Sequence, residues 1–207
     1  MNELQYISQG KTPKEHLQNI GQVCEAGCRW VQLRLKDVDL AVYLETAIQC
    51  REICDQYEAI LIINDQVSIA KASLADGVHL GLEDINPTEA RKILGDNSII
   101  GGTANNIDDC IQQINAGVDY VGVGPYRYTS TKKKLSPILG LDGYKSIVAG
   151  LKDRNIETPV IAIGGIESRD IKDILKTGVQ GVAVSGMLTD QEDLEEKISE
   201  IKRLVAI

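Results

Sequence analysis

Ile60-Leu61-Ile62-Ile63-Asn64-Asp65 sets four consecutive aliphatic residues before two polar ones. A strand with one face in water alternates apolar and polar side chains. An unbroken aliphatic run needs cover on both faces, which a parallel sheet flanked by helices provides. Pro159-Val160-Ile161-Ala162-Ile163 repeats the pattern nearer the C-terminus. Six further short apolar runs of the same kind are Leu4–Ser8, Trp30–Leu35, Val78–Leu82, Ser98–Gly101, Tyr120–Gly124 and Val182–Ser185, so eight strands are expected. Phe is absent from the chain, which leaves Ile, Val, Leu and Ala to build the core.

Charge-rich, amphipathic segments separate the runs. Helix starts are marked at Thr12-Pro13, at Asn86-Pro87-Thr88 and at Ser168 by capping residues and by Pro at the first helical position. Helix exits carry Ala26-Gly27, Ala75-Asp76-Gly77, Ala116-Gly117 and Thr177-Gly178, where Gly suits the left-handed residue that ends a helix. These exits precede the second, fourth, sixth and eighth strands, so the repeat is a pair of βα units. Eight such units in 207 residues predict an α/β fold of the TIM (β/α)8 barrel type, residues 1–207 forming a single catalytic domain. A doubly wound open sheet is the competing architecture. No linker or composition break marks a second domain.

The net charge of −8 argues against nucleic acid or an anionic membrane as partner, since both select basic surfaces. No apolar run reaches the ~20 residues of a membrane span, and the N-terminus lacks the basic start and apolar stretch of a signal peptide. A cytoplasmic protein acting on small molecules is expected, with the question of a homo-oligomer left open. Cys24, Cys28, Cys50, Cys54 and Cys110 lack zinc-type spacing, and only His16 and His79 accompany them. Buried, reduced thiols are the expectation.

In a barrel, the polar residues that follow each strand meet at one mouth. After the second strand, Gln32, Arg34 and Lys36 alternate onto one side, and two converging cations read as an anion clamp. Asp65 and Asp84 follow adjacent strands. Two carboxylates beside a phosphate clamp suit Mg²⁺, although an Asp in that place also serves to cap the next helix. His79 reads as a packed strand residue. Gly101-Gly102-Thr103 permits close backbone approach and offers a hydroxyl. The stretch from Gly124 to Lys134 mixes hydroxyls and cations in a loop able to close over a phosphorylated ligand. Gly164-Gly165 and Ser185-Gly186 stand where barrels bind phosphate after the seventh and eighth strands.

At these residues the chain resembles the thiamine phosphate synthase family over essentially its whole length. The shared motifs are Gln32-x-Arg34-x-Lys36, Asn64-Asp65, His79 to Asp84, the loop with Gly124, Pro125, Thr129, Thr131 and Lys132, and Gly164 to Ile166. The resemblance implies a transferase of thiamine biosynthesis that joins a pyrimidine diphosphate to a thiazole phosphate and releases pyrophosphate. It implies that Gln32, Leu33, Arg34, Leu35, Lys36, Asn64, Thr103 and Lys132 bind the pyrimidine diphosphate. It also implies that Asp65 and Asp84 hold one Mg²⁺ ion per subunit, and that Thr129, Ser130, Thr131, Gly165, Ser185 and Gly186 bind the thiazole phosphate. The chain departs from the family pattern at Thr103 (commonly Ser), at Tyr128 (commonly Pro), at Gln66 (commonly Asp or Arg) and at Ser185-Gly186 (commonly Val-Ser). Two alternatives remain. A thiazole tautomerase-like relative has no need of the diphosphate clamp, and a non-catalytic phosphate-ligand sensor would give no product.

Overall fold

A computed structural model describes residues 3–128, 137–189 and 191–205. Its strands are β1 (Leu4–Ile7), β2 (Trp30–Leu33), β3 (Ile60–Asn64), β4 (Gly77–Leu80), β5 (Ile99–Ala104), β6 (Tyr120–Val123), β7 (Val160–Ile163) and β8 (Gly181–Val184). The helices between and after them are α1 (Pro13–Glu25), α2 (Leu40–Gln56), α3 (Val67–Ala72), α4 (Pro87–Leu94), α5 (Ile107–Asn115), α6 (Gly140–Lys152), α7 (Ser168–Leu175) and α8 (Leu194–Val205). Each strand pairs in parallel with its sequence neighbour. β8 returns to β1 with Leu4 opposite Val182, which closes the barrel and removes every sheet edge.

The aliphatic runs are buried on both sides, as their lack of alternation predicts. Ile7, Trp30, Ile62, Tyr120, Ile161 and Ala183 fill the inside of the barrel. The residues that alternate with them, such as Val31, Leu61, Ile63, Val121 and Ala162, pack outward against the helices in a larger core. A fully buried Ile or Val contributes roughly 1.5–3 kcal/mol, so each strand is anchored from two directions.

The helix starts follow their sequence signals, with one difference. Thr12 accepts a hydrogen bond from Glu15 N at 3.2 Å, and Asn86 accepts one from Thr88 N at 2.9 Å. At α7 the cap is Glu167 rather than Ser168, because Glu167 and Asp170 exchange bonds in a capping box. Gly27, Gly117 and Gly178 are left-handed, with φ of 102°, 88° and 96°. Gly77 is not a helix exit but the first residue of β4. A Cβ there would lie 1.9 Å from the Ile99 carbonyl oxygen, so glycine is required by the approach of β5. The left-handed residue after α3 is Leu74. All five cysteines are buried and unpaired. Among the described residues, no helix is long and apolar enough to cross a membrane.

Candidate active site

The C-terminal ends of the strands open into a cavity of about 590 Å³. Its floor is built by inward-facing strand residues. Gln32, Asn64, His79 and Thr103 take the last inward positions of β2, β3, β4 and β5, where the lower layers hold Trp30, Ile62 and Tyr120. Gln32 is 2% exposed, and its side-chain nitrogen has no partner. A buried amide donor left unsatisfied costs about 1–3 kcal/mol, which a ligand acceptor in the cavity would recover. The ring of His79 bonds Tyr120 Oη through Nδ1 at 3.0 Å and Thr103 Oγ1 through Nε2 at 3.0 Å.

β2 ends at Leu33, earlier than the sequence suggests, yet the alternation continues into the loop. Leu33 and Leu35 point outward into the helix-side core, which leaves their side chains away from the cavity. Arg34 faces the mouth, and its backbone N–H donates to Ser8 Oγ at 3.0 Å. Arg34 and Lys36 also line a smaller adjoining cavity of about 240 Å³, together with Lys11. Lys36 forms an ion pair with Asp65. Asp65 adopts a left-handed φ of 65°, and its N–H donates to the His79 carbonyl at 2.8 Å. The residue that caps α3 is Gln66, so the Asp65 carboxylate is not spent on the helix end. Asp84 folds back to accept from Gly81 N at 2.6 Å. Burial pushes the Asp84 carboxyl above its ordinary range and the adjacent Asp65 carboxylate raises it further, while the Gly81 N–H opposes both. The two carboxylates are therefore neighbours, although eighteen residues of chain lie between them.

Gly165, Ser185 and Gly186 line the opposite side of the same cavity. Gly165 is left-handed, with φ of 68°, and a Cβ there would lie 2.5 Å from Arg127 Cγ. Ser185 Oγ faces Gln9 at 3.4 Å. The start of the loop after β6 is laid along β7, with Tyr126 N donating to Ile163 O at 2.9 Å and Arg127 N to Gly164 O at 3.1 Å. Thr129, Ser130, Thr131 and Lys132 lie outside the described residues.

Several lining residues escape the sequence reading. Gln9 follows the polar end of β1, and Asn105 follows β5 directly. Arg127 lies in the loop already singled out, where it pairs with Asp170 at 2.8 Å and Glu167 at 3.1 Å. The Gln5 and Tyr120 pair beneath His79 gives no signal in sequence, because both residues sit inside ordinary strand patterns.

Comparison with known proteins meets this geometry. The family model described as thiamine monophosphate synthase matches residues 4–188. A thiamine-phosphate synthase of Flavobacterium psychrophilum is 46% identical over 202 residues, covering 98% of each chain. One from Bacteroides thetaiotaomicron is 44% identical over 208 residues, covering 99% of this chain and 100% of its own. Among solved structures, a thiamine phosphate pyrophosphorylase from Pyrococcus furiosus superposes with a TM-score of 0.84 at 29% identity, covering 99% of this chain and 95% of the other. The family match over residues 4–188, with relatives 44–46% identical along nearly the whole length, places the chain in the thiamine monophosphate synthase family.

Proposed function

We propose that the chain is a thiamine-phosphate synthase, a transferase that condenses 4-amino-2-methyl-5-(diphosphooxymethyl)pyrimidine with 4-methyl-5-(2-phosphooxyethyl)thiazole to give thiamine phosphate and pyrophosphate. The observation that carries this reading is the adjacency of Asp65 and Asp84, with Lys36 paired to Asp65, just past strand ends whose inward residues Gln32 and Asn64 line the cavity, where the Gln32 amide donor has no partner. Family membership supplies the reaction class. A cavity of about 590 Å³ suits two small ring substrates. One catalytic domain in a reducing, cytoplasmic setting agrees with five buried free thiols.

In this reaction the C–O bond to the diphosphate breaks with its electron pair leaving on oxygen, and the thiazole nitrogen forms the new C–N bond. The pyrimidine amino group supports positive charge at the methylene carbon, so the protein need not supply a strong base. Its work is orientation and charge stabilisation. Gln32 offers its free amide N–H to the pyrimidine, with Asn64 beside it. Arg34, Lys36, Thr103 and Lys132 meet the diphosphate. Leu33 and Leu35 contribute through main chain only, because their side chains lie in the outer core. Gly165, Ser185, Gly186 and the segment Thr129 to Thr131 hold the thiazole phosphate, where Gly165 lacks the Cβ that would crowd the loop.

Asp65 and Asp84 fit Mg²⁺, a hard cation bound through one or two carboxylates, substrate phosphates and water. When bound there, Mg²⁺ supplies neutralising charge for the diphosphate oxygens. Incubating the protein with both substrates and Mg²⁺ tests the proposal, with thiamine phosphate and pyrophosphate appearing in equal amounts as the expected result. Binding without product would make the protein a phosphate-ligand sensor, and conversion of the thiazole alone would make it a tautomerase.

A further inference from the structure

Beneath the proposed diphosphate site, four polar groups form a chain through the barrel interior. Gln5 Nε2 lies 3.3 Å from Tyr120 Oη, which lies 3.0 Å from His79 Nδ1. His79 Nε2 lies 3.0 Å from Thr103 Oγ1, at the cavity floor. Room for the two rings comes from missing side chains. A Cβ at Gly101 would fall 2.2 Å from Tyr120 Cζ, and one at Gly122 would fall 3.0 Å from His79 Cε1.

The donors and acceptors set a direction. An amide nitrogen donates, so Tyr120 Oη accepts from Gln5. Burial holds the phenol well above its ordinary range, so it keeps its proton. That proton goes to His79 Nδ1, and a neutral imidazole accepting there carries its hydrogen on Nε2. Nε2–H donates to Thr103 Oγ1. A threonine hydroxyl that accepts from histidine has its own proton left to give.

We infer that Tyr120 fixes the polarity of the chain from Gln5 through His79, so that Thr103 presents its hydroxyl as a donor to an anionic oxygen of the ligand. The inference rests on the reading that Thr103 meets the diphosphate. In the opposite polarity Thr103 would turn its proton to His79 and its lone pairs toward departing negative charge. His79 and Tyr120 act through Thr103 and are positioning residues.

The two histidines of the chain make the test direct. Protein labelled with ¹⁵N in histidine gives two imidazole patterns in a long-range proton–nitrogen spectrum recorded in alkaline buffer. His16 is the internal reference. Ser8 Oγ takes the Arg34 N–H at 3.0 Å and lies 2.7 Å from His16 Nδ1, and with the Ser8 hydroxyl donating there His16 carries its hydrogen on Nε2. The expected spectrum shows both rings as Nε2–H tautomers. Tyr120→Phe should shift the tautomer of His79 alone, lower kcat about tenfold and leave KM for the thiazole phosphate unchanged. Thr103→Ser, which keeps the hydroxyl, should lose less of kcat than Thr103→Val, which removes it. Tyr120→Phe placed on Thr103→Val should cost nothing further, since the chain acts through that hydroxyl. An Nδ1–H tautomer for His79 in the wild type overturns the inference, as does full additivity of the two substitutions. Should Tyr120→Phe not fold, the wild-type spectrum decides alone. An Nε2–H spectrum from a protein that makes no thiamine phosphate overturns the reading of the reaction and leaves the chain of bonds standing.

Discussion

Lys36 pairs with Asp65 across the ends of β2 and β3. One cation thus faces two carboxylates, because Asp84 lies against Asp65 as well. This pair of adjacent carboxylates is what the proposed metal site rests on.

It has a pH consequence. Asp84 is raised in the folded chain, first by burial and then by Asp65, so the fold binds that proton more tightly than the unfolded chain does. Its contribution to stability is present in acid, below the ordinary carboxylate range, and is lost as pH rises through the elevated value. Mg²⁺ competes with the proton. Melting temperature should therefore rise more on adding Mg²⁺ near neutrality than in mildly acidic buffer. Saturation to 100 times Kd adds about 2.7 kcal/mol. Asp65→Asn should abolish the Mg²⁺-dependent shift and lower kcat by about 10²–10³, as differential scanning fluorimetry and a product assay would show.

Gln32→Met removes a buried donor that has no partner in the protein. Replacing it with an apolar side chain of similar length should leave stability unchanged or raise it, while KM for the pyrimidine diphosphate rises roughly 10- to 100-fold. Urea unfolding and steady-state kinetics read the two effects, which should have opposite signs.

Lys132 lies outside the described residues, and its role comes from its place in the loop motif. Lys132→Ala should reduce kcat by about 10²–10³ at saturating substrates, the usual effect of removing one charge from a leaving group. Near-normal turnover in a single-turnover assay would remove it from the diphosphate site.

Gly101→Ala sets a methyl group 2.2 Å from the Tyr120 ring carbon. Tyr120 is fully buried and held by Gln5 and His79, so it has nowhere to move. The variant should lose about 3 kcal/mol, visible as a lower urea midpoint with an unchanged slope.

Much of the barrel was legible in the chain because its signals are local. Aliphatic runs such as Ile60–Ile63 state that a strand is covered on both faces, and Gly27, Gly117 and Gly178 mark helix ends through their φ angles. The same glycine signal misled at Gly77, where the demand is a non-local contact with Ile99 O. At β2, alternation puts Gln32 and Arg34 on the cavity side and Leu33 and Leu35 in the outer core, since side-chain direction along an extended segment has a period of two.

The sequence by itself therefore determined the order of eight strands and helices, and the polar residues that follow each strand. Hydrophobic period and turn chemistry depend only on near neighbours. Tertiary structure alone decided that Asp84 lies against Asp65, that Arg127 is held by Glu167 and Asp170, and that Gln5 and Tyr120 stand beneath His79 and Thr103. Those contacts join residues far apart in the chain, and they exist because closing the sheet turns eight separate strand ends toward one axis.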